Sequence, residues 1–190
     1  MKEKKEKRRW GLMIFIVLIM IGTSFGVFIG TTGNTQKVRY NDIVFSFNGN
    51  YWMTKINGVQ AAFSNQPKEV ENISMAPEIK DMLTNRLEID STSEYNSTAN
   101  QQIALAQRNM GLTLASYRIY LRQGFTAPNP YNLPVFNCSA ATQAVPVIYF
   151  TLSNETKIFS EGSCIIVQAS KPAEVEKAKD RILYSILGVI

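Results

Sequence analysis

Histidine is absent from all 190 residues. With it go the commonest general base at neutral pH, the Ser-His and Cys-His nucleophile pairs, and most catalytic zinc sites. Neither G-x-x-x-x-G-K-[ST] nor G-x-G-x-x-G occurs, so no phosphate-cradling loop supports nucleotide binding. Cysteine is limited to Cys138 and Cys164. A structural zinc site needs four ligands, and a redox pair is normally C-x-x-C, so both are disfavoured and no metal or cofactor is expected. No alanine precedes Ala61, which removes the A-x-A-like site of a cleaved signal peptide. Net charge is also scarce once it is partitioned. Six basic and two acidic residues in 1–9 account for +4 of the formal +5, leaving the other 181 residues within one charge of neutral. The pI of about 9.2 therefore describes a short stub and gives no support to nucleic acid as a partner.

What the chain does have begins at that stub. From Trp10 to Gly30 run 21 residues without a charge. About 20 apolar residues cross a bilayer core, so this segment is expected to be a retained transmembrane helix in a lipid bilayer. The basic cluster before it, against only Lys37 and Arg39 just after it, places the N-terminus in the cytoplasm and the rest outside the cell membrane. The expected organisation is a cytoplasmic basic stub (1–9), a single-pass transmembrane helix (10–30), a short tether (31–37) and one extracytoplasmic domain (38–190).

The domain reads as α+β, built of antiparallel hairpins with about three helices. "IVFSF" (43–47), "YWMTKI" (51–56) and "VQAAF" (59–63) alternate apolar and smaller residues, and Asn57-Gly58 is a two-residue hairpin turn. Ile43, Phe45 and Phe47 are expected on one face, Trp52 and Ile56 on another. A helix is expected near Pro77, followed by a short strand at "LEID" and a longer helix capped near Asn96 or Ser97. That helix carries a stripe of Ile103, Ala106, Met110 and Tyr117. After a proline-rich loop at 126–134, "VPVIYFTL" and "KIFSEGSCIIVQA" are expected to form a second hairpin through "SNET". A closing helix begins at Ser170-Lys171-Pro172.

Outside the cytoplasm, an even cysteine count points to a Cys138–Cys164 disulfide. Four N-x-S/T triplets lie in the outer domain, against about two expected from composition alone. Asn72, Asn96 and Asn154 are candidate N-glycosylation sites, while a bridged Cys138 would crowd Asn137. The acidic pairs Glu88/Asp90 and Glu69/Glu71 read as solvated faces. The closing "RILYSILGVI" is too short to span a bilayer. It is read as a helix buried on two sides or, alternatively, as a partner-docking surface made by Tyr184, Leu187 and Ile190.

Two resemblances bear on function. Ser74-Met75-Ala76-Pro77 resembles the S-M-x-P segment of signal peptidase I, a membrane-anchored serine/lysine protease. That likeness implies Ser74 as a nucleophile, with Lys80 as the candidate base. Across most of its length, from the basic stub through "TKING" to "VPVIYFTLSNETKIFSEGSCIIVQASKPAEVEKAKDRILYSILGVI", the chain resembles a family of uncharacterised single-pass membrane proteins of archaea. This implies a surface-exposed domain and N-glycosylation, but no activity. The expected function is a membrane-anchored, extracytoplasmic binding, scaffold or assembly subunit of the cell envelope. It would work through its surface, with other envelope or membrane proteins as partners. The alternative is a membrane-anchored Ser/Lys hydrolase using Ser74.

Overall fold

The structure, a computed structural model, describes residues 10, 11, 13–17, 19, 20 and 36–190. The chain divides into two units, Met1–Gln36 and Lys37–Ile190. In the first, the described residues between Trp10 and Met20 are helical, and their large apolar side chains stand 48–71% exposed. The stub 1–9, most of the tether 31–37 and the rest of the expected 10–30 span lie outside the described residues. Among the described residues no helix is long and apolar enough to cross a membrane.

The second unit is α+β and begins with the expected meander. Strands β1 (Lys37–Tyr40), β2 (Ile43–Phe47), β3 (Trp52–Ile56) and β4 (Val59–Phe63) pair antiparallel in chain order. Asn57 and Gly58 both take positive φ (53° and 81°), as a primed two-residue turn requires. The registers Phe47↔Trp52 and Trp52↔Phe63 put Ile43, Phe45, Phe47, Trp52 and Ile56 on one inner face, not two. The tether expectation is corrected at its end, because Lys37 already pairs with Ser46.

The second sheet departs from the hairpin expectation. Its strands are β5 (Ser74–Met75), β6 (Glu88–Ser93), β7 (Tyr120–Phe125), β8 (Val147–Leu152), β9 (Lys157–Glu161) and β10 (Cys164–Ala169), in the order β5-β9-β10-β8-β6-β7. Only β9 and β10 pair antiparallel; β7, β6, β8 and β10 run parallel. β8 pairs with β10, so "SNET" is a connection and not a hairpin turn. The hairpin closes instead at Gly162, with φ 60°. The physical reason lies in the apolar runs: Cys164, Ile165, Ile166 and Val167 are all buried, as parallel strands covered on both faces demand.

Four α-helices complete the unit: α1 (Pro67–Val70), α2 (Glu78–Leu83), α3 (Asn100–Ser116) and α4 (Glu174–Ile186). α3 provides the long connection that carries β6 to its parallel neighbour β7. It starts four residues after Asn96, although the Ser97 hydroxyl does accept the Ala99 N–H at 3.2 Å. Likewise α4 starts at Glu174; Ser170 bonds Thr156 instead of capping it. α4 ends at Gly188 (φ 74°), where the Val189 N–H donates back to the Tyr184 carbonyl at 2.8 Å.

α3 and α4 lie between the sheets. α3 meets β4 on one side and β6 and β7 on the other. Its Thr113 hydroxyl donates to Ala62 O at 3.0 Å, and Tyr117 reaches the Ile56 and Val59 carbonyls at 3.3 and 3.2 Å. α4 meets β10, while its Tyr184 ring stacks on Phe63 at 4.0 Å and meets Phe45 edge-on at 5.9 Å. A smaller apolar cluster of Val147, Cys164 and Ile166 sits apart from the main core, beside Cys138, Ala141, Tyr149 and Phe159. There Cys138 and Cys164 form the expected disulfide, Cα to Cα 5.1 Å. Cys164 opens β10 instead of lying mid-strand. Closing a loop of this length stabilises by about 3 kcal/mol in the chain-entropy view.

Candidate ligand pocket

The parallel strands β6 and β7 end at Ser93 and Phe125, next to the first turn of α3. In sheets built this way, the space beyond the carboxyl ends of the strands is where ligands are commonly held. Here it contains a cavity of about 410 Å³. Its floor is Ser93, Gln123 and Gly124, its helical wall is Asn100, Gln101, Ala104 and Gln107, and its rim is Phe125, Tyr131 and Leu133. The lining carries no carboxylate, amine or thiol. It can hold a molecule, and its hydroxyls, on Ser93 and Tyr131, have no carboxylate, amine or imidazole beside them in the lining.

Two buried atoms in this wall lack partners. Gln107 is 5% exposed, and its side-chain Nε2 makes no hydrogen bond; neither does Asn100 Oδ1. The orientation of the Asn100 amide is fixed, because its Nδ2 donates to Tyr95 O. A buried polar atom without a partner costs about 1–3 kcal/mol. Among the described residues only two other buried side-chain polar atoms are in this state, Ser91 Oγ and Arg181 Nη1, and Ser91 belongs to the same strand β6.

The rim is organised by Asn129. Its Oδ1 accepts the N–H groups of Tyr131 and Leu133, each at 3.1 Å, and its Nδ2 donates to Leu133 O at 2.9 Å. The loop then lies alongside β7 as an extra short strand: Phe125 N–H donates to Pro134 O, and Phe136 N–H to Phe125 O, both at 2.9 Å. The Tyr95, Phe125 and Tyr131 rings form a row, with centroids 6.4 and 5.9 Å apart.

A second polar cluster joins α4 to the segment after β4. Lys179 and Asp180 are 1% and 0% exposed. Lys179 Nζ meets Asp180 Oδ1 at 2.5 Å and Glu176 Oε2 at 3.1 Å. Asp180 Oδ2 also accepts from Asn65 N and Nδ2, at 2.7 and 2.9 Å, and Tyr184 OH donates to Asn65 O at 2.6 Å. Burial pushes the Asp180 carboxyl above its ordinary value, against the pull of Lys179 and Asn65. Burial also pushes the Tyr184 phenol up. Ser64 lies 3.4 Å from Lys179 Nζ, but donates its hydroxyl to Glu176 at 2.8 Å. The Lys179 ammonium is committed to two carboxylates, so the cluster is a clamp and not a Ser/Lys dyad.

The residues singled out from sequence fall elsewhere. Ser74 is exposed on β5 and Lys80 is exposed on α2, with no hydrogen bond joining them. A lysine base of the signal-peptidase kind needs burial to lose its proton, and Lys80 has none. Tyr184 and Leu187 are buried and Ile190 is half-buried against the same core, which fits the helix read as buried on two sides and not the alternative docking surface. Both sides of α4 face the domain interior. Asn72, Asn96 and Asn154 are exposed, as is Asn137, whose side chain accepts from Ser139 at 2.6 Å. Asp90 is no solvated acid: it is 5% exposed and forms a fork with Arg122 at 2.7 and 2.9 Å, and this holds the guanidinium pKa up. Glu69 caps the backbone of Gln66 at 2.6 Å, and Glu71 accepts from Tyr40 OH at 2.8 Å. Among the described residues no group of three His, Cys, Asp or Glu side chains could hold a metal ion.

The pocket was not legible as a sequence because its lining is mostly amide, small and apolar side chains, and its hydroxyl residues Ser93 and Tyr131 belong to no recognisable motif. The available signal was Gln107, a polar residue on the apolar Ile103–Ala106–Met110 stripe of α3. No family description, curated protein or solved structure matches this chain.

Proposed function

We propose that the chain is a membrane-anchored binding subunit of the cell envelope. In this reading residues 10–30 hold it in the bilayer, and the domain from Lys37 onward captures a ligand outside the cell without altering it. The observation that carries the binding reading is the buried, unpartnered Gln107 amide in the wall of the β6–β7 cavity. A fold that keeps such a group without a partner gives up stability, and sites that must recognise something are where that loss recurs. The outside location draws support from the Cys138–Cys164 bridge, since disulfides persist in oxidising compartments. It draws further support from the exposed sequons. The anchor draws support from the 21 uncharged residues and from helical apolar side chains exposed on all sides, an arrangement suited to lipid.

The binding reading is tested without knowing the ligand. Gln107→Met keeps the side-chain length and deletes the amide. If the amide awaits a ligand, the ligand-free protein gains about 1 kcal/mol, read as a higher urea midpoint at unchanged slope. A loss of similar size would mean the fold itself uses the amide, and would remove the main support for a binding site here.

A further inference from the structure

Resting on that reading, the geometry points to a neutral saccharide as the occupant of the β6–β7 cavity. No charged side chain lines it, so a buried phosphate, carboxylate or ammonium would find no counter-charge for its lost hydration. Four side-chain amides do line it: Asn100, Gln101, Gln107 and Gln123. Each amide both donates and accepts, as each sugar hydroxyl does. The two unpartnered atoms match that duality, since Gln107 Nε2 requires an acceptor and Asn100 Oδ1 requires a donor. A single hydroxyl can serve both roles, and a pair of adjacent hydroxyls can serve them at two points.

The rim supplies the other half of sugar recognition. One face of a pyranose ring is a row of C–H groups that settles on an aromatic surface. Tyr131 presents a ring that is 64% exposed, next to Phe125 at 5.9 Å, and Asn129 holds the loop that carries it. Aromatic and polar groups therefore line the same cavity. The volume, about 410 Å³, lies at the lower end of small-molecule sites and has room for about two sugar rings. The rim residues Tyr131 and Leu133 are exposed, so the end of a glycan chain could enter there.

The test uses the full-length chain in a sugar-free detergent, with 15N-labelled glutamine side chains observed by NMR. The probes are neutral saccharides built from hexoses and N-acetylhexosamines, with glucuronate and adenosine as controls. The expected result is saturable movement of the Gln107 and Gln123 side-chain signals with at least one neutral saccharide. Tyr131→Ala, a change on an exposed loop, should weaken that binding at least tenfold, and Gln107→Met should do the same. Adenosine or glucuronate binding in preference to every neutral saccharide would overturn the assignment, as would no movement with any saccharide. If Gln107→Met still stabilises the protein in either case, the pocket remains a binding site and only its ligand class falls.

Discussion

At Gly124 the molecule depends on a single hydrogen. A Cβ built there would lie 2.4 Å from the Pro134 carbonyl oxygen and 2.6 Å from the Phe136 ring. The carbonyl is backbone, held by the Phe125 N–H, and cannot move aside without releasing the strap that bears the pocket rim. Phe136 is fixed as well: Arg122 stacks over its ring at 4.8 Å, and Thr92 donates to its carbonyl at 2.8 Å. Gly124→Ala should therefore cost about 1–3 kcal/mol, read as a lowered thermal midpoint, with the chemical shifts of Tyr131 and Leu133 displaced. Gly111 is a useful contrast. An added Cβ there meets Leu121 at an ordinary 3.6 Å, so Gly111→Ala should be tolerated in the same assay.

Among the elements, α4 depends on the buried clamp around Asp180. The charged and titratable groups that face it are Lys179 and Glu176 from its own helix and Tyr184 one turn on, with Asn65 opposite. Burial is the largest influence on the Asp180 carboxyl and raises it from 3.8, so the folded chain takes up this proton at a higher pH than the unfolded chain does. The contribution of Asp180 to stability is then fully present below pH 3.8 and is lost as pH rises through the raised value. Asp180→Asn abolishes that titration. Urea midpoints measured across this range should show the stability difference, wild type minus variant, falling as pH rises. A difference that grows with pH would mean that Lys179 and Asn65 outweigh burial. The elements also explain what the amino-acid pattern could convey. Strands β2 to β4 were legible because one face is apolar, the alternation is regular and Asn57-Gly58 marks the turn. Strand β6 was legible only at its start, through "LEID", because the rest buries polar residues, with Thr92 on Phe136 and Ser91 and Ser93 without any apolar signal, and β7 was missed because "YLRQGF" buries only Leu121 and Gly124. Hydropathy sees burial only when it is apolar. The candidate site was hidden for the same reason, since it is built at the ends of those two strands.

For the whole molecule, charge, the proposed anchor and the crosslink fit one arrangement. Nearly all the net charge sits in the first nine residues, and Lys37–Ile190 forms a two-sheet domain with its long helices between the sheets. One disulfide crosslinks the domain beside its smaller apolar cluster. The proposed work outside the membrane needs a fold that endures there, and the Cys138–Cys164 bridge would be the covalent part of that endurance. The C-terminal helix is buried on two sides, so the alternative of docking through it gives way to a candidate pocket at the amino end of α3. The central claim, that this domain lives outside the cytoplasm, is tested most directly by the redox state of its only two cysteines in protein from the native source. Denatured in the presence of a maleimide-linked polyethylene glycol, the chain should gain no mass until a reductant is added, and two adducts thereafter. Two adducts without reductant would place the domain in a reducing compartment and contradict the account.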